Sequence, residues 1–136
     1  EGLLGRWMVA GMNRAHAEVA DWGMQYLPQT GIAEIAELGC GGGRNVRALL
    51  QRYSTAKVTA LDYSEISVEK TRRVNRREIQ KGRCRVVQGD VSKLPFEDAR
   101  FDLVTAFETV YLAWSDRKLS GSVSDFKTGW NILDCE

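Results

Sequence analysis

The chain has 136 residues, with 19 Lys and Arg against 18 Asp and Glu, so its net charge of +1 offers no general attraction to nucleic acid or to a membrane surface. One domain with a small-molecule ligand is the default expectation at this size. The three cysteines, Cys40, Cys84 and Cys135, lack C-x-x-C spacing, no apolar run reaches membrane-spanning length, and the start has no signal-peptide pattern; a reducing cytoplasm is expected, without disulfides or zinc.

Residues from about Leu3 to Leu27 read as helical, with Trp7, Met8, Met12, Val19, Trp22, Tyr26 and Leu27 as apolar anchors. Gly11 and Gly23 loosen the segment, and Pro28 and Gly31 end it. Preceding the central unit, residues 1–31 are expected to form a cap over one edge of the sheet. The only histidine, His16, lies here; with no acid or cysteine partner identifiable, an ordinary helix-surface role is the simpler reading.

The organising stretch is Ala33-Glu34-Ile35-Ala36-Glu37-Leu38-Gly39-Cys40-Gly41-Gly42-Gly43, a short apolar strand entering a glycine-rich turn. Val46, Leu49, Leu50 and Tyr53 follow at helical spacing, completing the first half of a nucleotide-binding βαβ unit. Glycine lets the backbone approach a ligand and visit φ > 0, and the free N–H groups of the helix start face that ligand. A dinucleotide G-x-G-x-x-G counted from Gly39 and Gly41 requires glycine at position 44, where Arg44 stands. The order acid-x-Gly-x-Gly-x-Gly, formed by Glu37, Gly39, Gly41 and Gly43, instead resembles the first motif of class I S-adenosylmethionine-dependent methyltransferases. That resemblance implies that the loop, with Cys40, wraps the amino-acid end of the cofactor, and that Glu37 lies near its ammonium group. A glycine turn without a ligand is the alternative.

Lys57-Val58-Thr59-Ala60-Leu61-Asp62 reads as the second strand. Asp62 follows the glycines by about 20 residues, where a βαβ unit places a carboxylate to accept from ribose hydroxyls. Tyr63 is expected against the adenine face. Helix capping is the competing role for Asp62, though Ser64 is the better cap. Ser64 to Lys81 then reads as one helix, with Ile66, Val68, Val74 and Ile79 on its apolar side and Gly82 stopping it. Lys70, Arg72, Arg73, Arg76, Arg77, Lys81, Arg83 and Arg85 are basic, but no aromatic residues interleave with them, so a solvated face is preferred to a nucleic-acid surface.

Arg83 to Gln88 reads as the third strand, followed by Gly89-Asp90-Val91. The methyltransferase resemblance implies that Asp90 accepts from the adenine amino group and that the Val91 N–H reads a ring nitrogen; a plain turn is the alternative. Ser92 to Arg100 is a polar connection carrying Leu94-Pro95-Phe96, and Phe101 to Ala106 is the fourth strand, with Ala106 counted among the cofactor-binding residues. Leu94-Pro95-Phe96 with Phe101-Asp102-Leu103-Val104 is similar to the same family, as is Met12 to His16 with Asp21-Trp22-Gly23. Glu108 and Tyr111 are the candidate catalytic residues on the substrate side, with Glu108 as a base or orienting carboxylate; a helix-start acid is the alternative for Glu108.

The resemblance runs from about Met12 to Tyr111. It implies an α/β, Rossmann-like, doubly wound and mostly parallel sheet with helices on both faces, binding S-adenosylmethionine and releasing S-adenosylhomocysteine. Direct attack by an acceptor on the sulfonium methyl needs proximity and orientation, and no metal. Residues 32–111 form the expected cofactor-binding core, and residues 112–136 an atypical tail in place of the family's last strands. Read one base later, Leu112-Ala113-Trp114-Ser115 can encode Trp-Pro-Gly and Lys127-Thr128-Gly129-Trp130-Asn131 can encode Lys-Pro-Gly-Gly, both family patterns, so a frameshifted or truncated tail is expected. The fourth strand would then carry an exposed edge that the tail covers or that pairs two chains into a homodimer. A non-catalytic cofactor-binding module is the second reading. A nicotinamide-dependent oxidoreductase is the third, disfavoured by Arg44.

Overall fold

The computed structural model describes residues 17–97 and 100–107, together with the backbone of 113–114 and 127–128. Residues 17–24 are helical (α1). They lead through Pro28 and Gly31 into β1 (Glu34–Leu38), and the order then runs α2 (Arg44–Arg52), β2 (Lys57–Asp62), α3 (Glu65–Val74), α4 (Arg76–Gln80), β3 (Cys84–Gln88) and β4 (Leu103–Thr105). The four strands form one sheet in the order β3-β2-β1-β4, and all of its pairings are parallel. Two further short strands, β5 (Ala113–Trp114) and β6 (Lys127–Thr128), pair antiparallel with each other.

β2 is buried from Val58 to Asp62 because it lies inside the sheet with both faces covered, which is why it reads as a nearly continuous apolar run. On one face Ile35, Val58, Ala60 and Leu103 pack with Val46, Leu49 and Leu50 of α2 and Val68 of α3. Each of the Val, Leu and Ile side chains among these contributes about 1.5–3 kcal/mol by leaving water. On the other face Ala36, Leu38, Leu61 and Val104 pack with Phe101 and Ala106, and Val91, Leu94 and Phe96 close over them. The Phe96 and Phe101 rings meet edge to face at 5.1 Å. The Leu-Pro-Phe segment is therefore the cover of the second face.

Asp102 ties the lower end of the sheet together. One of its oxygens accepts from the N–H groups of Ala33 and Glu34, both at 3.0 Å. Two basic residues of the α3-to-β3 region also serve the fold. Arg72 donates to the Val86 carbonyl on β3, and Arg83 donates to the carbonyls of Leu50, Tyr53 and Ala56 while pairing with Glu78.

Three expectations are corrected. The helix expected from Ser64 to Lys81 breaks at Asn75, which has φ −106° and ψ 19° and separates α3 from α4. Ile66 is 80% exposed and Val74 is also exposed, so α3 packs through Val68 and Thr71. In α1, Val19 and Trp22 are exposed, whereas Ala20 and Met24 are buried, and in the turn that follows Tyr26 is exposed and Leu27 buried; the inward face differs from the one expected. Trp7, Met8, Met12 and His16 lie outside the described residues.

Candidate functional site

The chain leaves β1 toward β2 and later returns to place β4 on the other side of β1, so adjacent connections diverge beyond the carboxyl ends of the strands. Ligands of open parallel sheets bind at such a point. An open cleft lies on this rim, lined by Gly39, Gly41, Asp62, Tyr63, Ser64, Ser67, Asp90 and Val91. Six of these were singled out from the sequence, on three separate connections. Ser64 was expected only as a helix cap, and Ser67 was not expected in the cleft.

The loop after β1 turns back sharply because Gly39, Gly41 and Gly43 all have positive φ, at 70°, 47° and 80°. The N–H groups of Gly39 and Cys40 donate to the Leu61 carbonyl, at 2.7 and 3.1 Å, which holds the loop start against the end of β2. Gly41 is held by Asp62: its N–H donates to Oδ2 at 2.9 Å, while the Ser64 N–H donates to Oδ1 at 2.9 Å. The capping choice falls on Ser64, whose hydroxyl accepts from the Ser67 N–H at the start of α3. Asp62 is buried, yet it lines the cleft, and each of its oxygens, with one hydrogen bond accepted, has capacity for another.

Tyr63 is 81% exposed beside this carboxylate, with its ring free to meet a flat ligand. Its carbonyl accepts from the Gln88 side chain at 3.1 Å, fixing the β2 turn to β3. The Gly89 N–H donates to the Asp62 carbonyl at 3.0 Å, and a Cβ on Gly89 would come within 3.0 Å of Leu61, so glycine brings the third connection close. Asp90 then accepts from the Ser92 N–H at 2.8 Å. That bond holds its exposed carboxyl below the ordinary value, so it remains an ionised acceptor.

The remaining candidates sit deeper. Glu37 is fully buried on β1, where the Thr105 hydroxyl donates to its carboxylate across the β1–β4 pair. Cys40 is also fully buried, and burial pushes its thiol up to about 11. Gly43 backs onto α3: an added Cβ would lie 2.8 Å from the Thr71 Cα. Ala106 is buried just beyond β4. Glu108 and Tyr111 lie outside the described residues.

Among the described residues no group of three or more His, Cys, Asp and Glu side chains could hold a metal ion, and no helix is long and apolar enough to cross a membrane. Arg44, at the position where a dinucleotide loop has glycine, pairs with Asp21 of the α1 segment.

A family model described as a methyltransferase domain matches residues 35–126, a span that extends past Tyr111. A malonyl-(acyl-carrier protein) O-methyltransferase from Halorhodospira halophila is 35% identical over 101 residues, covering 73% of this chain and 32% of that protein. The cycloartenol-C-24-methyltransferase 1 of Oryza sativa subsp. japonica is 35% identical over 75 residues, covering 55% of this chain and 22% of that protein. The chain thus spans about a fifth to a third of the curated relatives it matches. Among solved structures, the methyltransferase SibL superposes with a TM-score of 0.66 at 20% identity, covering 82% of this chain and 32% of that one. A geranyl diphosphate C-methyltransferase from Streptomyces coelicolor A3(2), solved with S-adenosyl-L-homocysteine, gives 0.60 at 19% identity, covering 72% of this chain and 37% of that one.

Proposed function

The chain belongs to the methyltransferase-domain family, and from that premise we propose that its rim cleft binds S-adenosylmethionine for methyl transfer to a small-molecule acceptor. The observation that carries the reading is the convergence of Gly41, Asp62 and Asp90, from three successive strand ends, on one open cleft. The donor set fits this cofactor. Asp62 and Asp90 offer carboxylate acceptors for ribose hydroxyls and an adenine amino group, the Val91 N–H suits a ring nitrogen, and exposed Tyr63 offers a face to the base. The Gly39–Gly43 loop meets the amino-acid end, with Glu37 and Cys40 beneath it.

Bound there, the cofactor supplies a methyl group made electrophilic by its sulfonium sulfur. The protein's own part is to fix orientation and bring the acceptor into line. Ala106 lies where β4 ends on that rim, and Glu108 and Tyr111, which follow it in the chain, are proposed to face the acceptor, with Glu108 accepting a proton from its nucleophile. Residues 1–31 are proposed to cap the cofactor; the Asp21–Arg44 pair supports this by joining that segment to the start of α2. Pairing of two chains along the β4 edge is the proposed self-association, which light scattering of the purified chain tests.

Calorimetric titration with S-adenosylhomocysteine tests the central reading. The parent chain is expected to bind, Asp62→Ala and Gly41→Val to lose binding while folded, and NAD to give no heat. Binding of NAD in place of S-adenosylhomocysteine would return the site to a dinucleotide enzyme. Turnover assays with candidate acceptors then separate an enzyme from a module that only binds.

A further inference from the structure

Gly41 has both of its backbone polar groups taken by side chains from other elements. Its N–H goes to Asp62 at the end of β2, and its carbonyl accepts from the Thr71 hydroxyl of α3 at 3.1 Å. Thr71 is fully buried, and the Gly41 carbonyl is a closer partner for its single proton than the Cys40 sulfur at 3.4 Å. One turn further along the helix axis, the Asn75 amide nitrogen donates to the carbonyls of Gly43 and Thr71, each at 3.1 Å. Both neighbours are carbonyl acceptors, so only the nitrogen end of the amide suits that position. The break between α3 and α4 at Asn75 turns this amide inward.

We propose that Thr71, supported by Asn75, is a positioning residue that holds the glycine loop in its binding shape before any ligand arrives. In a planar trans peptide the carbonyl oxygen and the following N–H point in opposite directions. Drawing the Gly41 carbonyl toward α3 therefore turns the Gly42 N–H away from the Thr71 hydroxyl. Three glycines in a row would otherwise sample many conformations, and a ligand would bear the cost of ordering them. The fit is close on this side, since a Cβ on Gly43 would come within 3.0 Å of both the Thr71 hydroxyl and the Asn75 amide. The inference rests on the cofactor reading above only for its ligand; its structural content concerns the free loop.

The test uses the full chain and the variants Thr71→Val, Thr71→Ala and Thr71→Ser. Valine keeps the shape and removes the hydroxyl, and serine keeps the hydroxyl. Amide hydrogen exchange of the ligand-free chain is expected to quicken about tenfold at Gly41 to Gly43 in Thr71→Val, while Ile35 and Leu49 keep the parent rate. S-adenosylhomocysteine affinity is expected to fall about tenfold in Thr71→Val and Thr71→Ala and to return to within about threefold of the parent in Thr71→Ser. Unchanged loop exchange in a folded Thr71→Val chain would overturn the proposal, as would a Thr71→Ser chain no better than Thr71→Val. If Thr71→Val and Thr71→Ala both fail to fold while Thr71→Ser folds, the hydroxyl supports the whole domain and the positioning role is likewise overturned. A parent chain that ignores S-adenosylhomocysteine while Thr71→Val still loosens the loop would refute the ligand and leave the positioning role standing.

Discussion

Arg44 grips Asp21 with a single guanidinium nitrogen, Nη2, which lies 2.8 Å from Oδ1 and 2.7 Å from Oδ2. The pair joins the α1 segment to the first turn of α2, directly after the glycine loop. Both side chains are about half exposed, at 50% and 56%, so solvent and salt screen them. A double-mutant cycle with Asp21→Ala and Arg44→Ala is expected to give a coupling of about 0.5–1 kcal/mol at low salt and less in 1 M salt. The larger effect is expected on the cap: proteolysis within residues 17–27 should quicken in either single variant, while the sheet stays protected.

Gly31 and Gly43 share a left-handed backbone, with φ at 79° and 80°, but differ in surroundings. Nothing lies within 4 Å of a Cβ placed on Gly31, whereas one on Gly43 meets the Thr71 Cα at 2.8 Å. Gly31→Ala is expected to cost about 1 kcal/mol, the price of the backbone alone. Gly43→Ala adds a clash with helix backbone, bringing the total to about 3 kcal/mol or more. Urea unfolding checks the pair, and equal losses would contradict the account.

Arg83 is a hub rather than part of a ligand-binding basic surface. It closes the end of α2 through the Leu50 and Tyr53 carbonyls, each at 2.8 Å, reaches Ala56 at 3.2 Å and pairs with Glu78 at 2.7 Å. Arg83→Ala is expected to cost about 2–3 kcal/mol through the loss of its bonds to three carbonyls and of its pairing with Glu78. Arg83→Lys should recover less than half of that, because an ammonium cannot reproduce the guanidinium fork. Thermal melts of the three chains measure it.

Burial pushes the thiols of Cys40 and Cys84 up to about 11 and about 12. A raised folded value means that the unfolded chain loses these protons first, near pH 8.5. Their contribution is therefore complete below about pH 8.5 and is lost as pH rises toward 11–12. The urea midpoint should fall between pH 8.5 and 10.5, and the fall should shrink in Cys84→Ala. Alkylation at pH 8, followed site by site with mass spectrometry, should leave both cysteines untouched until urea unfolds the chain.

Much of the framework was legible because local pattern and tertiary demand coincide there. β2 runs from Lys57 to Asp62, as expected, and β1 and β3 start one residue later than expected. The expected fourth strand, Phe101 to Ala106, contracts to Leu103–Thr105, with Asp102 spent on the N–H groups of Ala33 and Glu34. Where local pattern misled, the cause was three-dimensional. Asn75 looked like a mid-helix residue, but its amide finds the Gly43 carbonyl, and the helix yields. Ile66 looked like a core residue, but α3 turns Val68 and Thr71 inward. A signal for that face was present in Ser67, Thr71 and Asn75, a polar stripe at four-residue spacing, which becomes informative only once the glycine loop lies against it.

The sequence by itself determined the alternation of strands and helices, the glycine turn and the placing of acids at the strand ends, because these follow from side-chain periodicity and from backbone freedom at glycine. Only the tertiary structure decided how those strand ends are held together, with the Gly41 N–H on Asp62 and the Gly39 and Cys40 N–H groups on the Leu61 carbonyl, and that Glu37 and Cys40 are fully buried. It alone revealed that Thr71 and Asn75 hold the loop from behind. Those outcomes depend on hydrogen bonds between residues about 20–35 apart in the chain, and no local pattern specifies which distant carbonyl a buried donor will meet.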